Sequence, residues 1–269
     1  MEETWLNLGG KTVIVTGGAS GIGYAVADEL LQDGANVVVC DINPQAPVFP
    51  KAREGQFTYV ITNVADAASV AEMIDITLKN YGSIDAIVNN AGINIPRLLV
   101  DDNHLYELDE KVWDSIMNVN LKGVFLCAQA AGHIMTKQGR GIIINMSSEC
   151  GLEGSEGQSA YAASKNAVNS LTRSWSKELG KKGVRVVGVA PGIIEATGLR
   201  TLNYEIALAY TRGISVEQLR EGYQKTSSIP MGRSGKLTEI ANVVAFLCSD
   251  RASYIDGVTI NVAGGKTRG

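Results

Sequence analysis

Tyr161 and Lys165 stand four residues apart in the run Tyr161-Ala162-Ala163-Ser164-Lys165. On a helix, residues i and i+4 share a face, so a phenol and an ammonium at this spacing can converge on one site. An ordinary tyrosine, with a pKa of about 10, is a poor base at neutral pH. A neighbouring cation favours the tyrosinate, which makes Tyr161 a candidate general base for a hydroxyl proton.

A second constellation lies near the N-terminus. Thr16-Gly17-Gly18-Ala19-Ser20-Gly21-Ile22-Gly23 follows a β-branched run and leads directly into helix-forming Tyr24-Ala25-Val26. A glycine turn lets the backbone approach a pyrophosphate, and the helix that follows offers free N–H groups and the positive end of its dipole. The strand, turn and helix in this order make a dinucleotide site far more specific than glycines alone. Asp41 stands about twenty residues further on, at the end of the second β-branched run, where a carboxylate accepts hydrogen bonds from ribose hydroxyls and repels a 2′-phosphate. Neither Ser20 in the turn nor Ile42 after the acid is basic, so the expected cofactor is NAD.

The elements that must hold these residues alternate along the chain. Short β-branched runs at Thr12 to Thr16, Val37 to Cys40, Phe57 to Ile61, Ile84 to Val88, Gly141 to Met146, Val184 to Ala190 and Val258 to Val262 read as strands. Between them, Gly21 to Gln32, Ala67 to Asn80, Glu110 to Thr136, Tyr161 to Leu179 and Thr238 to Cys248 carry apolar residues at helical spacing. This alternation indicates an α/β chain with a parallel sheet covered on both faces. Gly34, Gly82, Gly139, Gly180 and Gly183 fall near helix ends, where a left-handed cap suits glycine. After Pro191-Gly192, about forty residues up to Gly235 interrupt the rhythm, with a helix expected around Val216 to Lys225. Excursions of that length in compact domains are usually functional lids, so 193–235 is expected to be a substrate lid within a single domain spanning 1–269.

Composition limits the function. The 269 residues are 45% hydrophobic, enough for a full core, and the formal net charge of -4 with no long basic block argues against nucleic acid as a partner. No run of eighteen apolar residues exists and the first residues are acidic, so neither a membrane span nor a secretion signal is expected and the cytoplasm is the expected location. Cys40, Cys127, Cys150 and Cys248 have no paired spacing, and His104 and His133 have no histidine partner at ligand spacing, so no metal site is expected.

TGGASGIG, Asn89-Asn90-Ala91-Gly92 after the fourth strand, and the Tyr161 to Lys165 run together resemble the short-chain dehydrogenase/reductase family over nearly the whole chain. The resemblance implies a single-domain, Rossmann-like, doubly wound parallel sheet of about seven strands with helices on both faces. It implies hydride exchange between a secondary alcohol and NAD, with Ser148 hydrogen-bonding the reacting oxygen in preference to Ser147. Lys165 would hold the nicotinamide ribose, and Asn120 would support a water-linked proton path. Asn63 and Val64 would lie around adenine, Asn90, Ala91 and Gly92 along adenosine, and Pro191, Gly192 and Ile194 beside nicotinamide. One departure stands in that last loop: the family's threonine is expected at Ala196 and occurs as Thr197. The long helices Glu110 to Thr136 and Tyr161 to Leu179 resemble the family's subunit interface, which implies a homotetramer.

The loop from Glu149 to Ser159 is rich in Gly, Ser, Glu and Gln, which suits a hydroxylated substrate better than an acyl chain. Arg200, Arg212, Arg220 and Lys225, with Arg97 and Glu149, are candidates for substrate contact; a solvated, mixed-charge segment with Glu205, Glu217 and Glu221 is the alternative. Ser147 to Gln158, Gly192 to Arg220 and the tail Ala263 to Gly269 resemble polyol-phosphate dehydrogenases within the family. This implies sorbitol 6-phosphate and fructose 6-phosphate as the reacting pair. A 3-oxoacyl carrier-protein reductase, another polyol or sugar dehydrogenase, and a non-catalytic NAD-binding regulator remain open at this point.

Overall fold

The central strands are apolar on both faces, and the computed structural model, which describes residues 5–225 and 228–266, shows why. Seven parallel strands form one sheet in the order β3-β2-β1-β4-β5-β6-β7. They are β1 Thr12–Thr16, β2 Asn36–Asp41, β3 Phe57–Ile61, β4 Ala86–Asn89, β5 Gly141–Met146, β6 Val184–Pro191 and β7 Thr259–Val262. Because side chains alternate along a strand, Val13, Val15, Val37, Val39, Ile142 and Ile144 enter the core on one face. Ile14, Val38, Cys40, Ile87 and Ile143 enter the core on the other.

The first core is covered by α1 (Gly21–Gln32) and α9 (Leu237–Cys248), through Val26, Leu30, Val244 and Leu247. The second is covered by α2 (Ala67–Tyr81), α4 (Gly123–Gln138) and α6 (Ser159–Leu179), through Met73, Ala131, Met135 and Trp175. Each large aliphatic side chain buried this way contributes about 1.5–3 kcal/mol relative to exposure.

Strand order reverses direction on either side of β1, whose neighbours are β2 and β4. The connections from β1 and β4 therefore diverge and leave a crevice at the carboxyl ends of the strands, where open parallel sheets bind ligands.

Three expectations are corrected. The helix expected over Glu110 to Thr136 is α3 (Glu110–Met117) and α4 joined by a π-helical turn at Asn118–Lys122. The turn lies where the chain must run close to Val64: a Cβ on Gly123 would stand 2.8 Å from its Cγ2. Gly180 is not a left-handed cap, for its φ of -56 opens a 3-10 turn that Gly183 closes at φ 79. The segment 193–235 holds two helices among its described residues, α7 (Leu202–Thr211) besides the expected α8 (Val216–Gln224). They pack through Leu208, Ala209 and Leu219 and are tied by Arg220 to Glu205 at 2.6 Å. The remaining short helix, α5, is Cys150–Glu153. No described helix is long and apolar enough to cross a membrane.

Candidate active site

The glycine turn is built by close packing of backbone. Gly17 has φ 63, and a Cβ there would stand 2.7 Å from the Ala91 Cα. A Cβ on Gly23 would stand 2.3 Å from the Gly17 carbonyl oxygen and 2.5 Å from Asn90 Nδ2. Asn90 fixes the turn, since its Nδ2 donates to the carbonyls of Thr16 and Gly17 at 3.0 Å each. Asp41 meets the turn from β2: Oδ2 accepts from the Ala19 N–H at 3.0 Å and Oδ1 from Asn43 N–H at 3.1 Å.

Above the turn lies a cleft of about 350 Å³. Its lining includes Gly17, Ser20, Gly21, Ile22, Asp41, Ile42, Asn63, Val64, Asn90, Ala91, Gly92, Tyr161, Lys165 and Pro191. Gly23 lies beneath this lining, packed on Gly17, and Gly192 and Ile194 face the adjoining cavity instead. Thr62, Ile93, Val119, Met146, Gly198 and Leu199, which the sequence reading missed, also line the cleft, as do Ser147, named only as the alternative serine, and Thr197. Thr197 had a signal, the displaced threonine; a Cβ on Gly21 would come within 3.2 Å of the Thr197 Cβ, so this residue closes over the glycine turn. Ala196 lines a separate surface hollow. The residues fit a dinucleotide: the turn leaves no room for side chains, and an acidic group stands at its adenosine end with no basic side chain beside it in the lining.

Tyr161, Lys165, Ser148 and Asn120 gather at the other end. α6 places Tyr161 at the wall shared by the cleft and a second cavity of about 330 Å³, which Ser148 also lines. Both serines line this cavity; the Ser147 hydroxyl is tied down, donating to the Lys165 carbonyl at 3.1 Å, whereas Ser148 Oγ accepts from the Cys150 N–H at 3.2 Å. Asn120 is fully buried on the π turn; its Oδ1 accepts from Ile93 N–H at 2.8 Å, and its Nδ2 donates to Ile93 O at 2.9 Å and to Ser164 Oγ at 3.2 Å. It clamps the loop after β4 against α6. Lys165 and Asn120 meet over Gly92, where a Cβ would stand 3.5 Å from Nζ and 3.3 Å from Oδ1.

The electrostatics differ from the sequence expectation. Lys165 Nζ donates to the Met146 carbonyl at 2.7 Å and lies 5.7 Å from the Tyr161 ring centroid, with no hydrogen bond to the phenol among the described residues. Burial brings its pKa down to about 8. Burial pushes the Tyr161 phenol up to about 12, with Cys150 and Glu149 adding to the rise and the Ser148 hydroxyl opposing it. Burial therefore governs this phenol, and in the chain alone it stays protonated at neutral pH.

The second cavity has an apolar part, made by Ile22, Ile193, Ile194 and Leu199, and a polar part. Glu149, Arg200, Arg212, Glu153, Ser155, Gln158, Tyr204, Tyr223 and Lys266 line it. Among the described residues Arg200 and Arg212 form no ion pair: Arg200 lies 3.7 Å from the Tyr223 ring centroid, and Arg212 Nη2 donates to Ser155 Oγ at 3.4 Å. Arg220 and Lys225 are paired with Glu205 and Glu221. Arg97 falls outside this cavity because its guanidinium donates to the Pro96 carbonyl and lies over Tyr106, in a neighbouring hollow. Lys266, missed as a site residue, reaches the cavity within its own chain; Thr267 to Gly269 lie outside the described residues.

A parallel seven-stranded sheet with a glycine-turn cleft and a Tyr-Lys pair at its carboxyl edge defines a dinucleotide-dependent class of protein. Residues 17–267 match the family model described as enoyl-(acyl carrier protein) reductase. The chain is 57% identical to a sorbitol-6-phosphate 2-dehydrogenase of Klebsiella pneumoniae, over 99% of this chain and 100% of that one. It is 39% identical to a 3-oxoacyl-[acyl-carrier-protein] reductase of Thermotoga maritima, over 97% of this chain and 99% of the relative. A solved 3-ketoacyl-(acyl-carrier-protein) reductase from Brucella melitensis, complexed with NADH, superposes with a TM-score of 0.80 at 28% identity, covering 97% of this chain and 100% of that chain. A short-chain dehydrogenase/reductase of the same organism, titled glucose/ribitol dehydrogenase, reaches 0.84 at 28% identity, over 99% and 100% of the two chains. The chain belongs to the short-chain dehydrogenase/reductase family.

Proposed function

We propose that this chain is an NAD-dependent oxidoreductase that interconverts sorbitol 6-phosphate and fructose 6-phosphate. One observation carries the reading: Tyr161 stands in the wall common to the dinucleotide cleft and a cavity that holds two arginines without carboxylate partners among the described residues. The name of the Klebsiella relative, at 57% identity over the full length, supports the polyol phosphate over the acyl substrates named for the more distant relatives.

Bound NAD supplies the hydride acceptor. The chain does the rest. The Gly17 to Gly23 turn leaves room for a pyrophosphate and Asp41 accepts from the adenosine ribose, its negative charge disfavouring a 2′-phosphate. Lys165, anchored on Met146, holds the second ribose. Ser148 donates a hydrogen bond to the reacting oxygen, and Tyr161 exchanges its proton, giving it up in ketone reduction and taking it in alcohol oxidation. Asn120 fixes the loop carrying Gly92 and Ile93 and supports a water-linked proton path near Lys165. Arg200 and Arg212 receive the phosphate, since charge-assisted bonds from guanidinium suit its oxygens. The segment 193–235 acts as a lid over this cavity, within one catalytic domain.

The groove between α4 and α6, lined by Phe125, His133 and Trp175, supports a homotetramer built through these helices. The test is NADH formation at 340 nm from NAD with sorbitol 6-phosphate, free sorbitol or a 3-hydroxyacyl thioester. A strong preference for sorbitol 6-phosphate is expected. Equal rates with free sorbitol would remove the phosphate clamp, and preference for the thioester would replace the substrate.

A further inference from the structure

A carboxylate stands where an anionic substrate must enter. Glu149 follows Ser148 directly, is 8% exposed, and lines the cavity with Tyr161. Its neighbour across the cavity is the end of the chain. After β7, Gly264 and Gly265 take φ 60 and 86 and turn the backbone, with Met231 N–H donating to the Gly264 carbonyl at 3.1 Å. Side chains do not fit here: a Cβ on Gly264 would stand 2.9 Å from Ile229 and one on Gly265 3.1 Å from Pro230. The turn delivers Lys266, whose Nζ lies 3.0 Å from Glu149 Oε1 and 2.9 Å from Glu153 Oε1. The other oxygen, Oε2, lies 3.0 Å from where a Cβ on Gly192 would stand, so a glycine is needed for Glu149 to occupy this place.

A buried carboxylate is costly unless paired and hydrogen-bonded. Lys266 meets that cost, for its ammonium pairs with Glu149 and Glu153 and holds the Glu149 carboxylate in the cavity wall. Burial alone lowers the Lys266 pKa, but Glu153 and Glu149 outweigh it and the net shift is upward, so the ammonium is charged at neutral pH. A second acceptor faces the same need: Asn94, in the lining of the same cavity, has a buried Oδ1 with no hydrogen-bond partner among the described residues. A carboxylate next to Ser148, in a cavity that Tyr161 also lines, suits a molecule that brings hydroxyl donors.

We propose that the Gly264-Gly265 turn makes Lys266 a positioning residue that orients and neutralises Glu149, so that Glu149 accepts a hydrogen bond from a hydroxyl adjacent to the carbon being oxidised. This rests on the polyol reading of the cavity and assigns Glu149 and Lys266 their parts in it. The phosphate belongs to the arginines, and the hydroxyl next to the reacting carbon belongs to the Glu149 and Lys266 pair.

The test compares wild type, Lys266→Met, Lys266→Arg, Glu149→Gln and the double variant by steady-state kinetics. Substrates are sorbitol 6-phosphate, its analogue lacking the terminal hydroxyl next to the oxidised carbon, and a panel of free polyols. For Lys266→Met, KM for the full polyol is expected to rise about tenfold or more, the loss of one charge-assisted hydrogen bond. KM for NAD should stay within twofold, the deoxy analogue should be nearly unaffected, and Lys266→Arg should restore most of the loss. Adding Lys266→Met to Glu149→Gln should cost little more than Glu149→Gln alone. An unchanged polyol KM in Lys266→Met, an equal loss on the deoxy analogue, or additive effects would overturn the proposal. If wild type ignores sorbitol 6-phosphate and oxidises another polyol, the substrate reading fails, and the same variants on that polyol decide this inference separately.

Discussion

The two walls that meet at Tyr161 are made differently. The dinucleotide wall is backbone: Gly17 and Gly23 pack against Ala91, Asn90 and each other at distances that exclude a side chain, on strands paired in register from β2 through β1 to β4. The substrate wall is side chains. Arg200 and Arg212 reach in from the 193–235 segment, Glu149 from the loop after β5 and Lys266 from beyond β7. A backbone-built surface recognises what every dinucleotide has, a pyrophosphate and two riboses. A side-chain-built surface can change with a few substitutions, which suits the part of a site that selects a substrate.

The sharpest way to separate the walls is Ser148→Ala, which removes a donor to the reacting oxygen from the substrate cavity and leaves the dinucleotide wall intact. A kcat about 10²–10³ lower is expected, with NADH affinity by fluorescence titration unchanged; a parallel loss of NADH affinity would mean that Ser148 belongs to the cofactor wall. On the substrate side, Arg212→Ala and Arg200→Ala should each lower kcat/KM for the phosphorylated polyol about tenfold or more. Free sorbitol should be unaffected, and equal losses on both substrates would place these arginines in lid structure instead of phosphate binding. On the cofactor side, Asp41→Ala should raise KM for NAD about tenfold and narrow the preference over NADP. A variant that still rejects NADP to the same degree would sink the role of its charge.

The cofactor wall was legible in the sequence because its requirements are local. The Gly17 to Gly23 turn follows a strand and opens a helix within one stretch, and Tyr161 and Lys165 share one helix face by spacing alone. The substrate wall was legible only in part: Glu149, Arg200 and Arg212 were among the candidates and line the cavity, but which other candidates join them is decided by tertiary contact. Nothing near Lys266 in sequence announces Glu149, and Arg220 differs from Arg212 only through its partner Glu205, a residue fifteen positions away. Arg97 was misplaced for the same reason, since its stacking on Tyr106 is invisible in a linear reading. The π turn at Asn118–Lys122 also escaped, because periodicity over 110–136 is apolar enough to pass for one helix.

Lys165 offers the smallest effect. Its folded pKa of about 8 lies below its ordinary 10.5. Between those values the unfolded chain binds more protons, so this group makes stability rise with pH across that window and contributes no slope below it. Chemical denaturation of wild type and Lys165→Met from pH 7 to 10 should show that slope only in wild type. The same slope in both would assign it to other groups.

The central claim is that Tyr161 moves the proton at the meeting point of the two walls. Its most direct test is Tyr161→Phe, assayed for NADH formation from sorbitol 6-phosphate alongside NADH binding. The account requires turnover at least about a hundredfold lower, with fructose 6-phosphate the wild-type product and NADH affinity retained. Turnover by Tyr161→Phe at the wild-type rate would contradict it.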